Sequence, residues 1–280
     1  MRGGGRLFRR GSVWLDDPVS DRSEDRRNSK HILAAVVAVV LTVVVGTGWL
    51  QRDASPASVA APPTTIPPTT TTTTVAPTEV PATTALASPK GEIATYRAPN
   101  GPALATVGFW YGYPMTMPIV EEQGDWLRIM LPERPNMSTA WVRAADVTRS
   151  ASNFRIVVRL SETRLIAYQD GYEIFSAPVG IGKDSTPTAP GNFFVAVVTA
   201  PGPAGYGPVV LDTSGHSEAI ESWQGSGDAV TSIHGSVSAS SAAKIGTTGT
   251  RISNGCIRML EADQRKLAVI PLGTPVDIIP

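Results

Sequence analysis

Hydrophobic and polar positions change rhythm several times along these 280 residues. Residues 32–50 are an unbroken apolar run of 19 residues without a charge, dominated by Ala, Val and Leu. At about 1.5 Å per residue, such a helix just spans a hydrocarbon core of about 30 Å. From residue 91 short apolar stretches alternate with turn residues. They fall at 93–96, 103–107, 117–121, 125–130 and 139–142, punctuated by Pro99-Asn100-Gly101, Gln123-Gly124-Asp125 and residues 132–136. Several short strands in about 60 residues predict a small barrel. Beyond 153 the alternation lengthens. Residues 154–160 and 163–168 alternate and are rich in β-branched side chains, and Asp170-Gly171 makes a hairpin turn into 172–179. Further strands are predicted over 192–199, 208–211, 229–234 and 275–279. One helix is predicted over 261–269, with Glu261 and Asp263 in its first turn, Arg265 and Lys266 further along and Pro271 after its end. The fold class is mainly β.

Composition separates the regions further. The first 30 residues carry Arg2, Arg6, Arg9, Arg10, Arg22, Arg26, Arg27 and Lys30. Basic residues before the apolar run put the amino terminus in the cytoplasm and everything after Gln51 outside. A cleaved signal peptide has a shorter leader and an apolar region of about 7–15 residues, so an uncleaved anchor fits better. No cysteine lies near the span, which excludes a lipoprotein. Residues 51–89 are mostly Thr, Pro, Ala and Ser, including the threonine run 69–74. They bury too little apolar surface to offset the entropy of ordering. As a semi-rigid Pro/Thr spacer they would reach up to about 100 Å at about 3.1 Å per residue, and they are a candidate for O-linked sugar. The expected organisation is a cytoplasmic tail (1–30), a transmembrane helix (31–50), a disordered linker (51–89), a small β-barrel (90–149) and a β-rich domain (153–280). The location is the cell membrane, single-pass, with the last domain in the envelope.

Basic and acidic residues number 24 each, which argues against a nucleic-acid partner held through phosphates. No Walker-type or dinucleotide-type glycine loop occurs. One cysteine and three histidines exclude an intrachain disulfide framework and most structural zinc sites.

The single cysteine has two readings: a small buried hydrophobe, or a nucleophile. Its flanks favour the second. Cys256 lies in Ser253-Asn254-Gly255-Cys256-Ile257-Arg258, and upstream a predicted strand ends in His234-Gly235. A thiol, with an unperturbed pKa of about 8.5, becomes a strong nucleophile when an imidazole takes its proton. Gly255 lets backbone N–H groups turn towards an oxyanion. The predicted helix starts about five residues past Cys256. The activating role therefore goes to His234 rather than to a helix dipole.

These motifs resemble the YkuD family of L,D-transpeptidases, whose signature is His-Gly, a gap, then Ser/Thr-x-Gly-Cys with an aliphatic residue and often Arg. The resemblance spans residues 153–280 and includes residues 156–162, 165–168, Val179-Gly-Ile-Gly182, residues 186–191 and residues 272–277. Residues 119–129 and 140–144 resemble bacterial Src-homology-3-like modules. There Trp126 and Trp141 either pack the core or line an aromatic groove, and core packing is preferred.

The resemblance implies a YkuD-like β-sandwich catalytic domain with one short helix, preceded by a small Src-homology-3-like β-barrel and a single transmembrane helix. It implies a cysteine-dependent acyltransferase acting on peptidoglycan stem peptides, forming 3→3 cross-links through a thioester and blocked by carbapenem-type β-lactams. The catalytic set would be Cys256, His234, Gly235 (whose carbonyl orients the imidazole) and Gly255. The substrate side would be Arg258, Ser253, Asn254 and Tyr206, with no metal or organic cofactor. Arg258 serves either a substrate carboxylate or a structural ion pair; Ser253 bonds within its loop; Tyr206 belongs to a lid. His216 reads as a polar loop residue, and His31 flanks the membrane. Two departures stand out. Asn254 occupies the place of a second histidine found in many members, and the gap from His234 to Cys256 is a few residues longer than usual. The alternatives are a hydrolase using the same site (an L,D-carboxypeptidase or a wall-protein-releasing enzyme) and a non-catalytic wall-binding protein.

Overall fold

Strand-forming alternation runs through most of residues 80–247 and 250–280, the residues that this computed structural model describes. The expected tail, membrane span and most of the linker lie outside them. Among the described residues, no helix is long and apolar enough to cross a membrane.

The first sheet uses β1 (Thr84–Pro89), β2 (Ile93–Tyr96), β3 (Ala103–Val107), β6 (Met117–Gln123), β7 (Trp126–Met130), β8 (Thr139–Arg143) and β9 (Val147–Ser152), and a minor hairpin joins β4 (Phe109–Trp110) to β5 (Tyr113–Pro114). The seven strands lie in the order β3-β2-β8-β7-β6-β1-β9. Met117, Leu127 and Ile129 are fully buried in its core, and Trp126 and Trp141 are buried as well. The linker expected over 51–89 ends sooner than its composition implies. Residues Thr84–Pro89 form β1, which pairs with β9 across six register positions and with β6 on its other edge. Its buried Leu86 and Ala87 explain the order: tertiary partners supply what a Thr/Ala/Ser segment lacks alone. β9 shows no sequence alternation because its four middle residues are exposed.

The second sheet takes β10 (Phe154–Arg159), β11 (Arg164–Gln169), β12 (Tyr172–Pro178), β14 (Gly191–Thr199), β15 (Val210–His216), β16 (Val230–Gly235), β18 (Ile257–Met259) and β19 (Pro275–Ile279), in the order β12-β11-β10-β19-β14-β15-β16-β18. β13 (Ile181–Gly182) pairs separately with β17 (Arg251–Ser253). The β10–β11 register runs from Phe154 opposite Gln169 to Arg159 opposite Arg164, and β12 continues the meander. The helix expected over 261–269 is a single α-turn, α2 (Glu261–Gln264), continuing as 3₁₀ through Arg265–Val269. A second short helix, α1 (Ala239–Ala242), starts at Ser238, whose hydroxyl accepts from the Ser241 N–H.

β14 joins the two cores. Phe193 and Val195 face a core with Ile156, Leu165, Leu211, Ile233 and Ile257. Phe194 and Ala196 point the opposite way, as the two-residue period requires, into the core of the first sheet beside Met117, Leu127 and Ile129. The contact is close: a Cβ on Gly273 would meet Leu86 at 2.9 Å.

Candidate active site

β16 carries His234 and β18 begins just after Cys256. The two strands pair in parallel, with Ile233 opposite Ile257, His234 opposite Arg258 and Gly235 opposite Met259. Cys256 stands two places before the partner of His234. Both therefore share one parity, away from the core that holds Ile233 and Ile257. At strand spacing, two register steps put their backbones about 8 Å apart.

His234 is fully buried, and its Nδ1 lies 2.6 Å from the Gly235 carbonyl oxygen. A carbonyl only accepts, so Nδ1–H donates to it. The Tyr206 ring covers this imidazole, with centroids 4.7 Å apart. Tyr206 is itself buried, in the Gly/Pro loop before β15. That loop is held by the Gly235 N–H donating to the Tyr206 carbonyl at 2.9 Å, and by Gln264 Nε2 donating to the carbonyls of Tyr206 and Val209. Beside it a cleft of about 360 Å³ is lined by Gly205, Gly235, Ser236, Ala239, Glu261 and Gln264, among others.

Cys256 is completely buried, its Sγ 4.0 Å from the Val230 carbonyl oxygen. It clusters with Ala229, and Ile220 and Trp223 pack against the pair. The turn that presents it is tied by Ser253, whose hydroxyl donates to the Cys256 carbonyl at 2.6 Å and accepts from the Gly255 N–H at 3.1 Å. This fits the local role expected of Ser253, and it commits the Gly255 N–H within the loop in this state. Gly255 has φ +129°, a backbone that side chains other than hydrogen rarely adopt.

Arg258 turns inward: it is 6% exposed, and its Nη1 donates to Ser241 Oγ at 2.6 Å. It braces α1 against β18. Asn254 sits in the same turn, half-buried.

Three features escape the sequence pattern. Thr188 Oγ1 donates to the Gly255 carbonyl at 2.8 Å and accepts from the Gly182 N–H at 2.9 Å, linking β13 to the cysteine turn. Asp212 on β15 accepts from Ser232 Oγ at 2.6 Å, on the side of β16 that carries His234. His216 is a buried residue ending β15 rather than a polar loop residue, with Nδ1 2.8 Å from Asp228 Oδ1. Each depends on partners distant in the chain. Burial acts against the Asp228 carboxylate, but the hydrogen bonds from His216 and Tyr111 outweigh it and hold its pKa well below the ordinary carboxylate range. Tyr111 is displaced the other way: burial, then its hydrogen bond to Asp228, raises its phenol well above its usual value.

Comparison with known proteins places residues 153–278 in the family model described as YkuD, the L,D-transpeptidase catalytic domain. No curated protein matches the chain. Similar solved structures include an L,D-transpeptidase from Mycobacterium smegmatis, 15% identical, with 57% of this chain and 80% of that one covered at a TM-score of 0.36. The catalytic domain of the E. faecium L,D-transpeptidase is 22% identical, with 45% and 95% covered at a TM-score of 0.32. An L,D-transpeptidase solved in complex with imipenem is 15% identical, with 71% and 82% covered at a TM-score of 0.34.

Proposed function

We propose, from the premise that residues 153–278 are an L,D-transpeptidase catalytic domain of the YkuD type, that this chain joins peptidoglycan stem peptides through an acyl-enzyme on Cys256. The observation that carries the reading is the parallel register of β16 and β18, which sets His234 and Cys256 on one side of neighbouring strands. The Gly235 carbonyl, by accepting from Nδ1–H, leaves Nε2 as the base.

In the proposed reaction Nε2 takes the thiol proton. The sulfur then attacks the carbonyl of the L-centre of the third stem residue. Collapse of the tetrahedral adduct breaks the amide, and the imidazolium returns its proton to the departing D-alanine, leaving a thioester. A side-chain amine from a neighbouring stem attacks that thioester, loses its proton to His234 and expels the thiolate, giving a 3→3 link. Arg258 braces the scaffold in this account, and Tyr206 shields the imidazole from water.

The N-terminal sheet serves on the same reading as a wall-facing Src-homology-3-like module. The apolar run at 32–50 anchors the chain in the membrane, and the linker lifts the domain into the envelope.

Incubation with a carbapenem tests the nucleophile. Intact mass should rise by one β-lactam, and the adduct should vanish in Cys256→Ser. Absence of any adduct on the wild-type chain would refute the acyl-enzyme. A disaccharide-tetrapeptide substrate then reports the outcome: dimer means transfer, whereas tripeptide alone means the hydrolytic alternative. His234→Ala should abolish either product.

A further inference from the structure

Cys256 is covered by residues 217–229, the connection between β15 and β16. Ile220 and Trp223 from that segment pack on the buried Ala229–Cys256 pair. The segment closes on itself: the Ser217 N–H donates to the Ala229 carbonyl at 2.8 Å, the Trp223 N–H to the Asp228 carbonyl at 2.8 Å, and the Ser226 N–H to the Trp223 carbonyl at 3.0 Å. These bonds shape the loop locally.

Side chains from the loops of the N-terminal region supply further ties. Arg134, between β7 and β8, donates from Nη1 to the Ser217 carbonyl at 2.7 Å, from Nη2 to the Ile220 carbonyl at 2.9 Å, and from Nε to Asp228 Oδ1 at 3.3 Å. One planar guanidinium thus grips the start, the middle and the end of the loop. Tyr111, in the β4–β5 turn, donates its hydroxyl to Asp228 Oδ2 at 2.7 Å. Asn136 exchanges two hydrogen bonds with the backbone of His216, each 2.8 Å, just before the loop begins. Beside the clamp lies an open cleft of about 280 Å³, lined by Trp110, Met115, Arg134, His216 and Asp228 among others.

We propose that the N-terminal sheet governs access to Cys256, with Arg134 as a positioning residue that holds residues 217–229 as a roof over the thiol. The inference builds on the role proposed for Cys256, but its test reads access alone and does not require turnover. A substrate reaches the sulfur when this roof lifts.

The chain has a single cysteine, so the rate of mass gain with iodoacetamide reports Cys256 directly. Loss of charge-assisted bonds to the loop should raise the open population, and with it the alkylation rate of Arg134→Ala, by roughly tenfold. Arg134→Lys, with one ammonium for three acceptors, should fall between Arg134→Ala and wild type. Leu86→Ala, which loosens the contact with Gly273 without touching the loop, should lower the melting temperature yet stay within about twofold of the wild-type alkylation rate. An Arg134→Ala rate within twofold of wild type would overturn the proposal. So would equal acceleration in Leu86→Ala, which would make the effect one of general loosening. Should the carbapenem fail to form an adduct while Arg134→Ala still accelerates alkylation, the acyl-enzyme reading fails and the gate stands.

Discussion

Thr188→Val removes one oxygen and leaves the volume almost unchanged. Thr188 is 3% exposed, and its hydroxyl answers two buried backbone groups, the Gly182 N–H and the Gly255 carbonyl. Valine satisfies neither. Each orphaned group costs about 1–3 kcal/mol, so the loss is roughly 2–4 kcal/mol after partial relaxation. No cavity forms, so packing contributes little. For a folded region of this size the midpoint should fall by roughly 5–10 °C. Urea unfolding followed by tryptophan fluorescence measures the change, with the slope unaltered because the surface exposed is the same. Thr188→Ser keeps the hydroxyl and should recover most of the loss. The same substitution frees the peptide on which Cys256 is mounted, so carbapenem acylation should slow more than stability alone predicts. A destabilisation below about 0.5 kcal/mol at constant slope would refute the reasoning, because it would mean that water or a shifted backbone already satisfies those groups.

Two further outcomes follow from the same structure. Phe194→Ala should cost about 3–5 kcal/mol, and unfolding should remain a single transition, since the ring belongs to the core of the first sheet while its strand belongs to the second; two separated transitions in the wild-type chain would contradict a shared core. The Asp228 cluster should make loop closure depend on pH in both directions. Asp228 faces His216, Tyr111 and Arg134, and its folded pKa is depressed, so its contribution is complete above its ordinary value of 3.8 and is lost as acid protonates it below that. Tyr111 faces Asp228, Asp212 and Arg134, and its folded pKa is raised, so its contribution is complete below the ordinary 10.0 and is lost as pH climbs beyond it. Melting temperature against pH, compared between wild type and Asp228→Asn, should show the acid-side loss shrinking in the variant.

Much of this architecture was legible as local chemistry. Apolar stretches between turn residues located β2, β3 and β7, side-chain alternation located β10 and β11, and charge placement with Pro271 located the helical turn after residue 260. The His234-Gly235 and Gly255-Cys256 motifs were visible because each is contiguous. Other features were not visible. β1 shares its composition with the spacer before it, and only its neighbours on either edge make it a strand. Thr188, Trp223 and Arg134 carry no local signature of their roles, since their partners lie at Gly255, Cys256 and Ser217.

Sequence alone determined where strands could form and which residue types could make an acyl-transfer pair, because side-chain alternation and thiol–imidazole chemistry are properties of short segments. The tertiary structure decided the rest. It set the parallel register that puts His234 and Cys256 on one side of β16 and β18, the inward turn of Arg258, and the bonds from Arg134 to the loop that packs on Cys256. Those depend on distances between segments far apart in the chain, fixed only when two cores close on opposite faces of β14.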